Sequence, residues 1–289
     1  ETHSLLVHVH RALERIGRRV IPGTVLAAYG HGDWNDALQP ADPAMRDQLC
    51  SSWTVTLCHQ TLATLARALR HCGREAELAE SLESKVAAVR EAFQRELVID
   101  GVVAGLVHFH DDELREVLLH PRDRRTGLSY SLLPMIHAIL ADLFTPEQAA
   151  AHLAIIRTHL TGPDGARLFD RPMAYHGGPQ SMFQRIESAS YFGREIGVMY
   201  THAHLRFIET MAHLGNADAM LTAFGMVNPA DLKSSVINAL PRQANAYFSS
   251  SDADVASRYE AAERYDEIVS GKIGVHGGWR IYSSGPGIF

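Results

Sequence analysis

The feature that most constrains this chain is a helical period that runs through its N-terminal third and breaks at one glycine. Between Pro43 and His71 the apolar residues fall at Leu49, Trp53, Val55, Leu57, Leu62, Leu65 and Leu69. Between Glu75 and Leu97 they fall at Leu78, Leu82, Val86, Val89 and Phe93. Spacings of three and four residues place such side chains on one face of a helix. Gly73, between the two runs, can take the left-handed conformation that ends a helix. Two long amphipathic helices joined by so short a link predict an antiparallel hairpin.

The same period recurs along the chain. It is present at Leu5, Leu6, Val9, Leu13 and Ile16, over Tyr130–Leu143, and over Pro146–Leu160, where Thr145 followed by Pro146 is a helix-start signal. Further helices are expected from about Gly193 to Leu214, over Asp218–Phe224 and Pro229–Leu240, and over Asp252–Val269 with Val255, Tyr259, Ala262, Tyr265 and Ile268. Val102–Phe109 reads as a short strand or an extended lid, and Pro172–Pro179 as a breaker-rich loop. No repeat of fixed period is present, which argues against a solenoid. The expected class is all-α, with long loops and a few short strands. Helix pairs joined by long loops are compatible with an α/α toroid, whose loops at one end would carry the chemistry.

Charge and cysteine content narrow the function. With 27 basic and 33 acidic residues the net charge is −6, which argues against nucleic acid, because a phosphate backbone demands a basic face. No run approaches the ~18 apolar residues of a membrane span, so no membrane partner is expected. A neutral sugar suits this balance. The three cysteines, Cys50, Cys58 and Cys72, lack CxxC spacing, which fits a reducing compartment and a cytoplasmic location. Cys50 and Cys58 are expected on one helix face. His108-Phe109-His110 carries ligand chemistry, but alternate residues share a face only on a strand and no third ligand is evident. No metal is expected there.

The segment with most chemistry is Tyr29-Gly30-His31-Gly32-Asp33-Trp34-Asn35-Asp36. A Trp face can stack on a pyranose ring, and Asp and Asn supply hydroxyl partners. An Asp beside an apolar ring has its proton held more tightly by desolvation, as a general acid requires. The competing reading is that Asp33 and Asp36 cap the following helix.

Gly32-Asp33-Trp34-Asn35-Asp36 closely resembles the signature of the cellobiose phosphorylase family, glycoside hydrolase family 94. The resemblance implies that Asp36 is the general acid and that Trp34 lines the sugar site, with Asp33 beside it. Gly193-Arg194-Glu195-Ile196-Gly197-Val198-Met199-Tyr200-Thr201-His202-Ala203 is similar to the family's Lys-Glu-Asn-Gly-Gly-Ile-Phe-x-His-Ala segment. It implies acceptor-sugar contacts from Arg194 and Glu195 and phosphate binding by His202. Glu195 and His202, two helical turns apart, are expected to face one funnel. Gly277-Gly278-Trp279-Arg280-Ile281-Tyr282-Ser283-Ser284-Gly285-Pro286-Gly287 resembles the family's closing phosphate segment, with Ser283 and Ser284 as the phosphate cradle. Phe183-Gln184-Arg185-Ile186-Glu187 and Arg242–Tyr247 are polar-aromatic stretches that fit a sugar groove without a specific role.

These matches, in family order, imply an incomplete (α/α)6 catalytic toroid over residues 1–289. Only about 30 residues precede the Asp motif. The family's first toroid helices and its β-sandwich domain are therefore expected upstream, and both ends read as cut from a longer chain. The implied reaction is inverting phosphorolysis of β-glucosides to α-glucose 1-phosphate, with inorganic phosphate as co-substrate, no cofactor, and a homodimer for the full-length protein. One alternative is an inverting hydrolase or transglycosylase on the same ring, with Glu187, Glu195 or Asp252 as base. The other is a non-catalytic helical binding module.

Overall fold

The computed structural model describes residues 4–110, 114–175, 177, 182–191, 199–228, 250–276 and the backbone of 247–248. The helical hairpin is its longest feature. α2 (Ser52–Cys72) and α3 (Ala76–Glu96) are linked by three residues. Gly73 sits at φ +63°, and its N–H donates to the Arg70 carbonyl at 3.1 Å. A Cβ is strained at that dihedral, so glycine suits the stop. Between the helices Leu62, Ala66 and Leu82 are buried, flanked by Leu65, Leu69, Leu78 and Val86. Truncating Leu82 to Ala would cost about 2–5 kcal/mol. The exposed Arg70–Glu83 pair, with contacts of 2.9 and 2.6 Å, contributes far less.

α2 begins nine residues later than the periodicity suggests. Pro43–Asp47 is a 3-10 turn and Leu49–Ser51 is strand β1. The Ser51 hydroxyl accepts from the Thr54 N–H at 3.4 Å and caps the helix, while the backbone of 49–51 pairs with another strand. Cys50 is therefore buried on β1, not on the helix with Cys58, and all three cysteines are free thiols. Val98–Ile99 (β2) and Val102–Val103 (β3) form a hairpin. Leu106–Phe109 (β4) and Arg115–Leu118 (β5) complete an antiparallel sheet of order β1-β4-β5. The strand option for Val102–Phe109 thus holds, and the register sets His108 opposite Glu116.

Beyond the sheet, α4 (Leu132–Leu140) is the most apolar helix, with seven of its nine residues buried. It packs against α2 on one side and α7 (Thr201–His213) on the other. These helices share the main core, which includes Val55, Phe93, Met135, Ile136, Phe207 and Met211. α5 (Pro146–Ile155) starts with a full capping box between Thr145 and Gln148 and runs into a π-helical turn, Ile156–Leu160. Two-residue hairpin strands follow, Thr161–Gly162 (β6) and Gly165–Ala166 (β7). α6 (Ile186–Ala189) is a single turn, and α8 (Ala217–Val227) packs on α7.

Two helical expectations are corrected. α7 starts at Thr201 rather than near Gly193, because Met199–Tyr200 is extended and pairs, as β8, with Tyr247–Phe248, β9. His202 lies on α7, while Glu195, expected two helical turns before it, lies outside the described residues. The run 252–269 is broken into a 3-10 turn at Ser250–Asp252, α9 (Arg258–Glu263) and α10 (Tyr265–Val269), with Ser257 capping α9. The helix expected over 229–240 lies outside the described residues. Among the described residues no helix is long and apolar enough to cross a membrane.

Among the histidines whose pKa burial lowers, His59 and the half-buried His137 are shifted furthest and favour loss of stability in acid. His59 on α2 is buried, and neither ring nitrogen has a hydrogen-bond partner among the described residues. Burial pushes His59 and His137 of α4 down to about 4, from an ordinary 6.5. Between those values the unfolded chain binds protons that the folded chain does not, so stability is lost as pH falls from 6.5 toward 4. His59→Leu removes one of the two groups. Urea melts at pH 7 and pH 5 should show a smaller difference for the variant than for the wild type; an equal difference would contradict the assignment.

Candidate functional site

The site grows from the loop that precedes β1. The Tyr29 N–H donates to the Leu49 carbonyl at 2.6 Å and the Gly30 N–H to the Arg46 carbonyl at 2.9 Å, so the loop is stitched onto the start of the sheet. Gly30 takes φ +62° to make the turn. The buried Tyr29 hydroxyl donates back to the Asn35 carbonyl at 3.2 Å, closing the loop on itself. Burial raises the Tyr29 phenol far above its ordinary value, with Asp33 and Asp36 adding to the effect, so it stays a donor.

Within this loop the two aspartates have different jobs, and neither accepts the cap bond. That role falls to Asn35, whose side-chain oxygen accepts from the Ala37 N–H at 3.2 Å at the start of the 3-10 turn Asp36–Leu38. Asp33 accepts from the Asn35 N–H at 3.1 Å and from the Thr54 hydroxyl of α2 at 3.0 Å. Burial raises its pKa, opposed by hydrogen bonds from Ser51, Asn35, Thr54 and Trp34. Asp33 thus fastens the loop to the hairpin. Asp36 is exposed and forms an ion pair with Arg185.

Arg185 reaches Asp36 because two distant segments pair. The Ala41 N–H donates to the Met182 carbonyl at 2.9 Å and the Gln184 N–H to the Gln39 carbonyl at 2.8 Å, around a bridge between Pro40 and Phe183. The polar-aromatic stretch 183–187 therefore abuts the Asp motif. No local spacing marks this, since the partners are 149 residues apart.

Trp34 brings the second motif in. Its half-buried ring lies 5.4 Å from that of Tyr200 and 5.9 Å from that of His202. Trp34 and His202 line one cavity of about 260 Å³ with Trp53, Gln60, His137, Arg206 and Glu209. Burial, then Arg206, lowers His202 below the ordinary histidine value, which favours its neutral form. The Trp53 indole N–H is buried without a partner among the described residues. Leu57, Leu133 and Leu140 complete the lining, so apolar faces stand beside two imidazoles and the Arg206–Glu209 pair, a mixture that fits a ligand with apolar ring faces and polar edges. Asp36 is not among the residues lining this cavity; it stands two residues beyond Trp34, facing Arg185.

The structure therefore joins Trp34 with His202 and Asp36 with Arg185. Arg194, Glu195, Ser283 and Ser284 lie outside the described residues, as do the side chains of 242–247. Trp53, His137, Arg206 and Glu209 belong to none of the quoted motifs, and Arg185 lies in the stretch 183–187 that carried no specific role. Helical spacing shows which of the first four share a face, but only packing selects the face that lines a cavity.

No protein-family model matches the chain. Over 290 aligned residues, the whole of its length, it is 39% identical to a 1,2-β-oligoglucan phosphorylase of Listeria innocua. The match covers 26% of that protein, so the chain spans about a quarter of its relative's length. Motifs in family order and identity sustained from end to end agree: the chain belongs to the cellobiose phosphorylase family, glycoside hydrolase family 94.

Proposed function

We propose that this chain is part of the catalytic helical domain of an inverting β-glucan phosphorylase, an incomplete (α/α)6 toroid that works with parts of the protein beyond residues 1–289. The substrate class is a short β-linked oligoglucan, with the β-1,2 linkage favoured by the relative's name. The observation that carries the reading is the meeting of Trp34 and His202 in one polar-aromatic cavity, with Asp36 two residues from Trp34.

In this reading Asp36 protonates the bridging oxygen as the glycosidic bond breaks. Inorganic phosphate attacks the anomeric carbon from the opposite face, giving α-glucose 1-phosphate. One carboxyl group suffices because phosphate is itself an anionic nucleophile, whereas an inverting hydrolase needs a second carboxylate to activate water. Trp34 stacks on a sugar ring, and Asp33 holds the loop in place. His202, Ser283 and Ser284 take phosphate, while Arg194 and Glu195 hold the acceptor. Neutral His202 offers a ring N–H to a phosphate oxygen.

The ion pair with Asp36 brings the Arg185 guanidinium, whose fork matches phosphate oxygens, beside the proposed general acid. The hydrolase reading draws on Glu187, half-buried two residues beyond Arg185, as the base. Dependence on phosphate separates the two. The binding-module reading is disfavoured by the polar lining around Trp34. No cofactor beyond phosphate is needed, and a dimer of the full protein belongs to the same family-based reading.

Asp36→Asn in the full protein should lower phosphate-dependent release of glucose 1-phosphate by about 10²–10⁴-fold, the usual worth of a general acid, with the circular dichroism unchanged. Activity within a few-fold of wild type would remove Asp36 from the mechanism. Trp34→Ala should raise KM for the glucan and His202→Ala should raise KM for phosphate. Initial rates measured with each substrate varied in turn check the division; a shift of both constants by both variants would contradict it.

A further inference from the structure

The hairpin of β4 and β5 carries a side-chain cluster that the proposed reaction does not use. His108 and Glu116 are direct cross-strand partners, so their side chains leave the same face of the sheet. His110 follows two residues on, and its N–H donates to the Leu114 carbonyl at 3.0 Å, which extends the hairpin pairing past the end of β4. The two imidazoles lie with centroids 3.9 Å apart. His108 Nδ1 and His110 Nε2 are each 3.6 Å from the same oxygen, Oε2 of Glu116. One ligand atom from each of the three residues lies within 4.8 Å of the others. The third group that the sequence did not disclose is therefore Glu116, brought in by the strand register.

From this geometry we propose that His108, His110 and Glu116 form a binding site for one divalent transition-metal ion, with zinc as its occupant. A nitrogen-to-oxygen distance of 3.6 Å is too long for a hydrogen bond. It is close to the edge of a zinc tetrahedron, roughly 3.3 Å for metal–ligand bonds of about 2.0–2.1 Å. His108 is buried, 9% exposed, and neither of its ring nitrogens has a hydrogen-bond partner among the described residues. A buried imidazole left in that state costs free energy that a metal bond would offset. Two imidazoles and one carboxylate leave a coordination position for water, and this donor set suits zinc better than calcium or magnesium. Arg125 already holds both Glu116 oxygens, at 3.0 and 2.9 Å. It orients the carboxylate as an outer-shell partner and competes with the metal for charge, so binding should be moderate rather than very tight.

The ion would clamp the turn end of the hairpin. Because Leu49 pairs with His108, it would also stiffen β1, the strand that leads into α2. The inference is independent of the proposed reaction, and its test needs no substrate. Protein stripped with chelator is titrated with Zn²⁺ by calorimetry, and its thermal midpoint is followed with and without the ion. One site per chain is expected, with a midpoint raised by Zn²⁺. His110→Ala and Glu116→Gln alter partly exposed residues and should retain the fold; each should weaken binding at least tenfold and abolish the midpoint shift. No stoichiometric binding, or wild-type affinity in both variants, would overturn the site and leave an adventitious ion only.

Discussion

The hydrogen bond from the Thr54 hydroxyl to Asp33, at 3.0 Å, is the contact on which the arrangement of the site depends. It joins the motif loop to the first turn of α2, at the point where β1 ends and the hairpin begins. A carboxylate in so dry a place is costly unless its oxygens are satisfied, and here both accept bonds. In the closed loop Trp34 is turned toward α7 and Asp36 is left at the surface. Trp53, one residue before Thr54, enters the same cavity from the helix side. A single polar contact thus fixes the relation between a surface loop and a rigid helix pair, which is how a loop can carry chemistry with precision.

The second determinant is long-range. Residues 39–41 run against 182–184, and this pairing delivers Arg185 to Asp36. The general acid of the proposed reaction is thus in contact with a cation from a distant segment. The half-buried Asp33 fixes the loop, and the exposed Asp36 is the proton donor of the proposed reaction.

Much of this was legible in the chain itself. The hairpin follows from apolar spacing and Gly73, and the start of α5 from Thr145 and Pro146. The motif residues Trp34 and His202 do meet. What periodicity missed were the places where pairing overrides it. Leu49–Ser51 and Met199–Tyr200 lie next to helical runs, yet their backbones bond to strands elsewhere, and apolar spacing carries no record of that partner. The same holds for Arg185 and Glu116. Each acquires its role from a residue brought in by register, and register is set by the whole sheet or loop rather than by neighbours in sequence.

Family membership, a cavity lined by indole and imidazole rings, and one exposed aspartate two residues from Trp34 support the proposed phosphorolysis with inversion. The most direct measurement is proton NMR of the first product formed by the full protein from a β-1,2-linked oligoglucan in phosphate buffer, before any anomer can equilibrate. The α anomer of glucose 1-phosphate is predicted, with no product when phosphate is withheld. The β anomer, or free glucose released at the same rate without phosphate, would contradict the reaction assigned to Asp36.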